Sequence, residues 1–249
     1  MNLSFYTAAV GASAHQSKLD VIGNNIANVN TFGYKTKSAG FVDLLYDNIR
    51  QPSGQISPLR QGVGARQEKT DTLFKMGALV VTEYPFDAAI IGDGFFALQN
   101  PTTNETVYSR SGNFQPSLAE DGQFYLIDPM GFFVLDSQGE RIVIPTDMIN
   151  SGYTNDTLNS AYALDVGIYD FINREGMIAI GNNHYRPVPK NGQPYLNEDS
   201  YLEWQTLEMS NVDLGLELTR VIQTQRAFQL NLRMVQTSDE IEQTINNLR

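Results

Sequence analysis

Two histidines, His15 and His184, are the side chains of this chain that titrate nearest neutral pH. They lie far apart and in no HxxxH or HxH arrangement, so they do not form a metal-ligand pair. His15 falls on an apolar helical seam and reads as a packed imidazole, whereas His184, in "GNNHYRP", reads as an exposed residue of a polar turn. Gly92-Asp93-Gly94-Phe95-Phe96-Ala97 fits the G-x-G-x-x-G/A dinucleotide fingerprint. That fingerprint must open a helix, and here Asn100-Pro101 follows within a few residues, so the segment reads as a turn feeding an aromatic strand. Ser109 and Ser111 flank Arg110 without a G-x-S-x-G elbow. Asn104-Glu105-Thr106 and Asn155-Asp156-Thr157 match the glycosylation sequon, a pattern frequent by accident. The carboxylates read as solvated surface. No catalytic residue, metal site, cofactor or small-molecule substrate is expected.

The composition narrows the classes further. A net charge of −11 opposes a nucleic-acid binder, which needs a basic face. With no cysteine, disulfides, thiolate zinc sites and cysteine nucleophiles are excluded. The first residues, "MNLSFYTAAVGASAHQSK", carry neither a basic n-region nor a continuous apolar core, so no Sec-type leader is expected. No apolar run approaches the roughly 18 residues of a membrane span. Hydrophobic residues make up 41% of the 249, enough for a packed core.

Two long amphipathic segments lie at opposite ends of the chain. Phe5, Ala8, Ala12, His15, Leu19, Ile22, Ile26 and Val29 alternate in steps of three and four, the seam of a coiled-coil helix. Leu214, Leu218, Val221, Gln225, Phe228, Leu232 and Val235 do the same, and Met234, Ile241, Ile245 and Leu248 then shift phase. Ser210-Asn211-Val212-Asp213 reads as a capping box opening the second helix. Neither helix is stable alone, so the two are expected to bury their seams against each other. Between them, residues 36–86 read as an extended connection, and residues 87–205 as short aromatic and β-branched strands separated by Asp-Gly, Ser-Gly and Gln-Gly turns. The expected fold is α+β: a discontinuous coiled-coil domain of residues 1–35 and 206–249, with an inserted, mainly β domain.

Three motifs in order resemble the bacterial flagellar axial family, the rod and hook proteins of the basal body. "LDVIGNNIANVNTFGYK" is similar to that family's ANxNTxGFK signature, with Tyr34 where Phe is usual. "DAAIIGDGFFAL", "YSRSGNF" and "DGQFYLIDPMGFFVLD" are similar to its β-domain motifs, and "LEMSNVDLGLELTRVIQTQRAFQLNLRMVQTSDEIEQTINNLR" to its SNV…QRA…N…D ending. The resemblance implies a structural subunit, not an enzyme. Its terminal helices would pair as an inner tube, with the β domain outside. Subunits would stack helically into a hollow shaft that carries motor torque to the hook. The implied partners are copies of itself, other rod proteins, hook protein and the flagellar type III export apparatus, which needs no cleaved leader. The implied location is the basal body, spanning the cell envelope.

Signature and seams together mark an expected assembly interface. It comprises Leu19, Ile22, Asn24, Asn25, Ile26, Asn28, Val29, Asn30, Thr31 and Gly33 near the start of the chain. Near its end it comprises Asn211, Leu218, Val221, Arg226, Ala227, Phe228, Leu232 and Val235. Uncharged amides suit such a site: they donate and accept hydrogen bonds without the desolvation cost of an ion. Gly33 is expected to take positive φ after the helix. Other readings are a hook or other rod-like paralogue, a soluble coiled-coil adaptor bound to one partner helix, and an enzyme built on the β domain.

Overall fold

A computed structural model describes residues 3–44, 46–50, 59–62, 64–119, 121–146, 148 and 164–248. The Asn155 sequon and the "QPSG" of residues 51–54 lie outside them. Two compact units are formed: one from Met1–Ala27, Lys37–Asp71 and Asp213–Arg249, the other from Asn28–Thr36 and Thr72–Val212.

The first unit is built on two long helices, α1 (Leu3–Ala27) and α2 (Leu214–Asn247). Neither contains proline, and at 1.5 Å per residue α2 is about 50 Å long. The cap of α2 lies three residues later than the sequence suggests. Asp213, not Ser210, is the N-cap, and its Oδ1 accepts the Leu216 N–H at 3.1 Å. The reason is Asn211, whose side chain is bonded to other segments of the second unit and holds the chain extended up to Val212.

The helices are antiparallel. Ser4 Oγ and Ser238 Oγ are 3.3 Å apart, and a Cβ on Gly11 would meet the Asn231 side chain at 3.2 Å, so seven residues forward on α1 is seven back on α2. On α2 Glu217, Val221, Thr224, Phe228, Asn231, Val235 and Ser238 are covered in a 4-3 repeat, with Arg220 and Ala227 half-buried beside it. Beside the helices, β1 (Lys37–Asp43) pairs with β4 (Ala65–Thr72), and β2 (Tyr46–Arg50) with β3 (Leu59–Gly62), in nested order. These strands escaped the sequence reading because "ARQEKTDT" is polar on both faces and carries no period-two signal.

In the second unit, β7 (Phe95–Gln99) organises the core. It pairs with β8 (Thr106–Ser109), β11 (Phe133–Val134) and β13 (Ile168–Asp170) within a ten-stranded sheet. Alternate side chains of a strand point to opposite faces. Phe96 and Leu98 therefore enter a cluster with Phe86, Phe114, Leu126 and Trp204, while Phe95 and Ala97 enter another with Tyr108, Phe171 and Tyr185. The Gly92–Ala97 segment is thus a turn entering a strand and opens no helix; Gly92 and Gly94 take φ of 110° and 129°. Two small sheets join the strands β6 (Ala88–Ile91) and β17 (Tyr201–Trp204), and β5 (Leu79–Val81) and β18 (Thr206–Glu208).

His184 is not exposed. Asn182 and Asn183, at φ 49° and 60°, form the two-residue turn between β14 (Ile178–Gly181) and β15 (His184–Arg186). His184 is the first strand residue after that turn. Its ring is buried against Phe132, and its Nε2 lies 2.7 Å from Asp128.

Tyr108 and Tyr185 face each other across β8 and β15. Burial, then the neighbouring Tyr169 phenol, pushes the Tyr108 hydroxyl up to about 12; burial, then the charges of Tyr34 and Glu208, pushes that of Tyr185 up as well. The unfolded phenols ionise near their ordinary value of 10, so between pH 10 and about 12 the folded state holds more protons and its stability falls as pH rises. Removing the Tyr108 hydroxyl removes its share of this slope. The expected result is that Tyr108→Phe raises the alkaline unfolding midpoint, followed by the phenolate ultraviolet band. An unchanged or lower midpoint would contradict it.

Candidate functional site

In the second unit, the segments that carry the three sequence motifs meet at buried polar groups. Asn211 is a clamp. Its Oδ1 accepts the Thr36 N–H and hydroxyl, both at 2.7 Å, and its Nδ2 donates to the Leu73 and Lys75 carbonyls at 2.8 and 2.9 Å. An amide can do this because it donates and accepts at once without charge. Just before it, Gly33 turns the chain at φ 67°, and its N–H donates to the Glu208 carbonyl at 2.7 Å. A side chain there would be strained twice, by the left-handed φ and by the Ser111 backbone nitrogen 2.6 Å from any Cβ.

Next to this turn lies a buried ionic triad. Lys35, Arg110 and Glu208 are 0%, 2% and 1% exposed at their side chains. Lys35 Nζ donates to Glu208 Oε1 at 2.5 Å and to the Lys75 carbonyl at 2.8 Å. Arg110 donates to Glu208 Oε2 at 3.4 Å and to the carbonyls of Ile90 and Gly92, with its guanidinium over the Phe95 ring. The Gly77 N–H adds a further donor to Glu208 at 2.6 Å. Burial pulls the Lys35 ammonium below its ordinary value, and the Glu208 charge partly opposes this. Burial likewise lowers the Arg110 guanidinium. The triad is not legible in the sequence because its members lie 75 and 98 residues apart and a lone carboxylate looks like surface charge. The one available signal was that each sits inside a motif: "FGYK", "YSRSGNF" and "LEMSNV".

This cluster is structural. A cavity of about 340 Å³ nearby is lined by Asn30, Thr31, Asp128, Asn183 and His184 among others. It brings a histidine, an aspartate and Ser111 close in space, but the Ser111 hydroxyl is bonded to Asn113 and that of Ser109 donates to the Asn183 carbonyl. Neither serine shows the nucleophile–base hydrogen bond that acyl transfer requires. Among the described residues, no group of three His, Asp or Glu side chains is placed to hold a metal ion.

In the first unit, Asn25 is a second clamp: its Nδ2 donates to the Lys37 carbonyl at 2.8 Å, and its Oδ1 accepts the Lys37 N–H at 3.0 Å. Of the other expected interface residues on α1, Ile22 is buried, Leu19 and Ile26 are half-buried and Asn24 is exposed. In the second unit, Asn28, Val29 and Thr31 are half-buried and Asn30 is exposed. Thr31 caps the turn through Asn28. On α2 the expected seam divides. Val221, Ala227, Phe228 and Val235 are half-buried, whereas Leu218, Leu232 and Arg226 are exposed. Leu218 is 49% and Leu232 40% exposed, and Leu214, Ile222, Leu230, Met234, Ile241 and Ile245 are exposed with them. A helix normally turns its apolar stripe inward. Here the inward stripe contains Glu217, Thr224, Asn231 and Ser238, and many of the larger apolar residues face outward.

Residues 5–35 match the family described as flagella basal body rod protein, residues 89–156 the flagellar hook protein FlgE/F/G D1 domain, and residues 205–248 the flagellar basal body rod FlgEFG protein C-terminal. The flagellar basal-body rod protein FlgG of Bacillus subtilis is 36% identical over 99% of this chain and 98% of its own length. The chain belongs to the flagellar basal-body rod FlgEFG family. Its FlgG counterpart in Borreliella burgdorferi is 32% identical over the whole of this chain and 99% of its own length. The flagellar hook-basal body complex protein FlhP of Bacillus subtilis is 28% identical over 99% of both. Among these, identity is higher to the FlgG proteins, the distal rod type. The protein is therefore a structural subunit of the flagellar basal-body rod, and the helices, clamps and triad described above belong to a building block rather than to an enzyme.

Proposed function

We propose that the chain polymerises helically through the outward faces of α1 and α2, forming a hollow shaft that passes torque from motor to hook. One observation carries this reading: most of the large apolar residues of α2, all but Val221, Phe228 and Val235, are exposed in the subunit. Exposed contiguous apolar surface of this kind marks an interface. The register adds to it. Since Ser4 lies level with Ser238, the last turns of α2 run past the level of Leu3, and Ile241 and Ile245 there have no α1 residue opposite among those described. The same interface in every subunit, repeated head to tail without closing, gives an open helical polymer.

On this reading the neighbours are copies of the chain, other rod proteins and hook protein, and delivery runs through the flagellar type III export apparatus. The interface comprises the exposed members of the expected set, Leu218, Arg226 and Leu232, with Asn24 and Asn30. Asn25, Gly33 and Asn211 serve by holding the subunit's own chain in shape. Electron microscopy of the purified chain at high concentration tests this: helical tubes are expected. Stoichiometric complexes with a single partner helix and no tubes would instead indicate a soluble adaptor.

A further inference from the structure

The inward faces of the two helices share a seven-residue polar period. On α1 it comprises Ser4, Gly11, Lys18 and Asn25; on α2, Glu217, Thr224, Asn231 and Ser238. The antiparallel register fixed by Ser4–Ser238 and Gly11–Asn231 sets these positions level with one another, Lys18 beside Thr224 and Asn25 beside Glu217. Between the polar layers lie Ala8, His15 and Ile22 on α1 and Val235, Phe228 and Val221 on α2. Four of these eight positions are buried, with Asn25 1%, Glu217 1%, Thr224 3% and Ser238 4% exposed; Gly11, Lys18 and Asn231 are half-buried and Ser4 is exposed. The polar layers do not all add stability: Glu217 Oε2 is buried without a hydrogen-bond partner, as is His15 Nδ1 between two of the layers. A buried polar group left unpaired costs stability, and the best attested return for polar groups in a helix seam is a single register.

We propose that these polar layers set the register of α1 on α2, and that Gly11–Asn231 is the layer that specifies it. The apolar layers alone do not: a slip of one heptad lays Ala8, His15 and Ile22 against Phe228, Val221 and Leu214 in one direction, and in the other keeps His15 on Val235 and Ile22 on Phe228, with only Ala8 meeting a polar residue, Glu242. Gly11 is different. A Cβ there would come within 3.2 Å of the Asn231 amide, which is held in place by its own bond to the Ala227 carbonyl at 3.0 Å, so a long side chain at position 11 would displace that amide. In one slipped register Asn231 would face Lys18, a long side chain already stacked over Phe41, and in the other it would face Ser4 and leave Asn25 and Ser238 without their layers.

The chain has no cysteine, so paired cysteines report register directly. In the purified full-length chain, Ser4→Cys with Ser238→Cys reports the observed register, because the two hydroxyls are 3.3 Å apart. Ala8→Cys with Phe228→Cys reports a slip of one heptad, and Ser4→Cys with Ile245→Cys the opposite slip. The expected result is that the first pair oxidises within one chain and the slipped pairs do not. When Gly11→Leu and Asn231→Leu are added, the first pair should lose cross-linking by about fivefold while a slipped pair gains it. Gly11→Ala with Asn231→Ser, which keeps the layer small and polar, should retain the first cross-link. Four results would overturn the proposal: no native cross-link in the parent chain; an undiminished native cross-link in the Leu/Leu chain; loss of native and slipped cross-links together, which would make the layer a source of stability rather than register; or failure of the conservative pair.

Discussion

Leu232→Asp is expected to abolish assembly and to leave the β unit folded. Leu232 is 40% exposed in the subunit, so the carboxylate stays solvated in the monomer and costs little there. Covered by a neighbour, it must be desolvated without a partner, at several kcal/mol through protonation or lost packing. Roughly 3 kcal/mol per contact already weakens association more than about a hundredfold, and in a helical polymer the cost recurs at every subunit. Ile26→Asp should also block assembly, but Ile26 is half-buried in its own unit, so part of its effect falls on the subunit itself. Gln223→Asp, at an exposed polar position of the same helix, is the control for added charge. Sedimentation reads assembly and circular dichroism reads the monomer. Normal polymerisation of Leu232→Asp would show that the outward face of α2 is not packed in the polymer.

The second large effect lies in the ionic triad. Glu208→Gln takes from the buried Lys35 and Arg110 the one carboxylate bonded to both, and removing one partner of a buried pair typically costs about 3–5 kcal/mol. The Lys35 ammonium, already pulled down by burial, loses the charge that supports it and falls further. Adding Lys35→Met removes one of the stranded charges and should recover part of the loss, although the Lys75 carbonyl then loses its donor. Trp204 is the chain's single tryptophan and is buried in the core of the same unit, so its fluorescence follows urea unfolding where the effect is expected. A Glu208→Gln midpoint equal to the parent's would mean that the triad is not a structural centre of this unit.

Much of this architecture was legible from residue types. The two terminal seams announced paired helices, since a 3-4 apolar repeat has few other uses. Period-two aromatics such as "GFFALQ" announced strands, and β7 uses both of its faces. The asparagines at the end of α1 announced a polar function, but not which one: Asn25 turned out to grip Lys37, and only Asn24 and Asn30 are exposed. Three kinds of feature stayed hidden. Polar strands such as β4 carry no hydrophobic period. The triad depends on residues brought together by the fold from distant points of the chain. The inward face of α2 could not be chosen from apolarity, because two overlapping 3-4 stripes run along that helix and the half-polar one faces α1. A stripe containing Glu217, Thr224 and Asn231 looks like a solvent face until the register of the pair is known.

The account rests on the outward apolar face of α2 being covered only in the polymer. A single Leu218→Cys in this cysteine-free chain, exposed to a maleimide, tests that most directly. Leu218 is 49% exposed in the subunit, so the thiol should label rapidly in the monomer and be protected when the chain is assembled into rods. Equal labelling in monomer and rod would contradict the account.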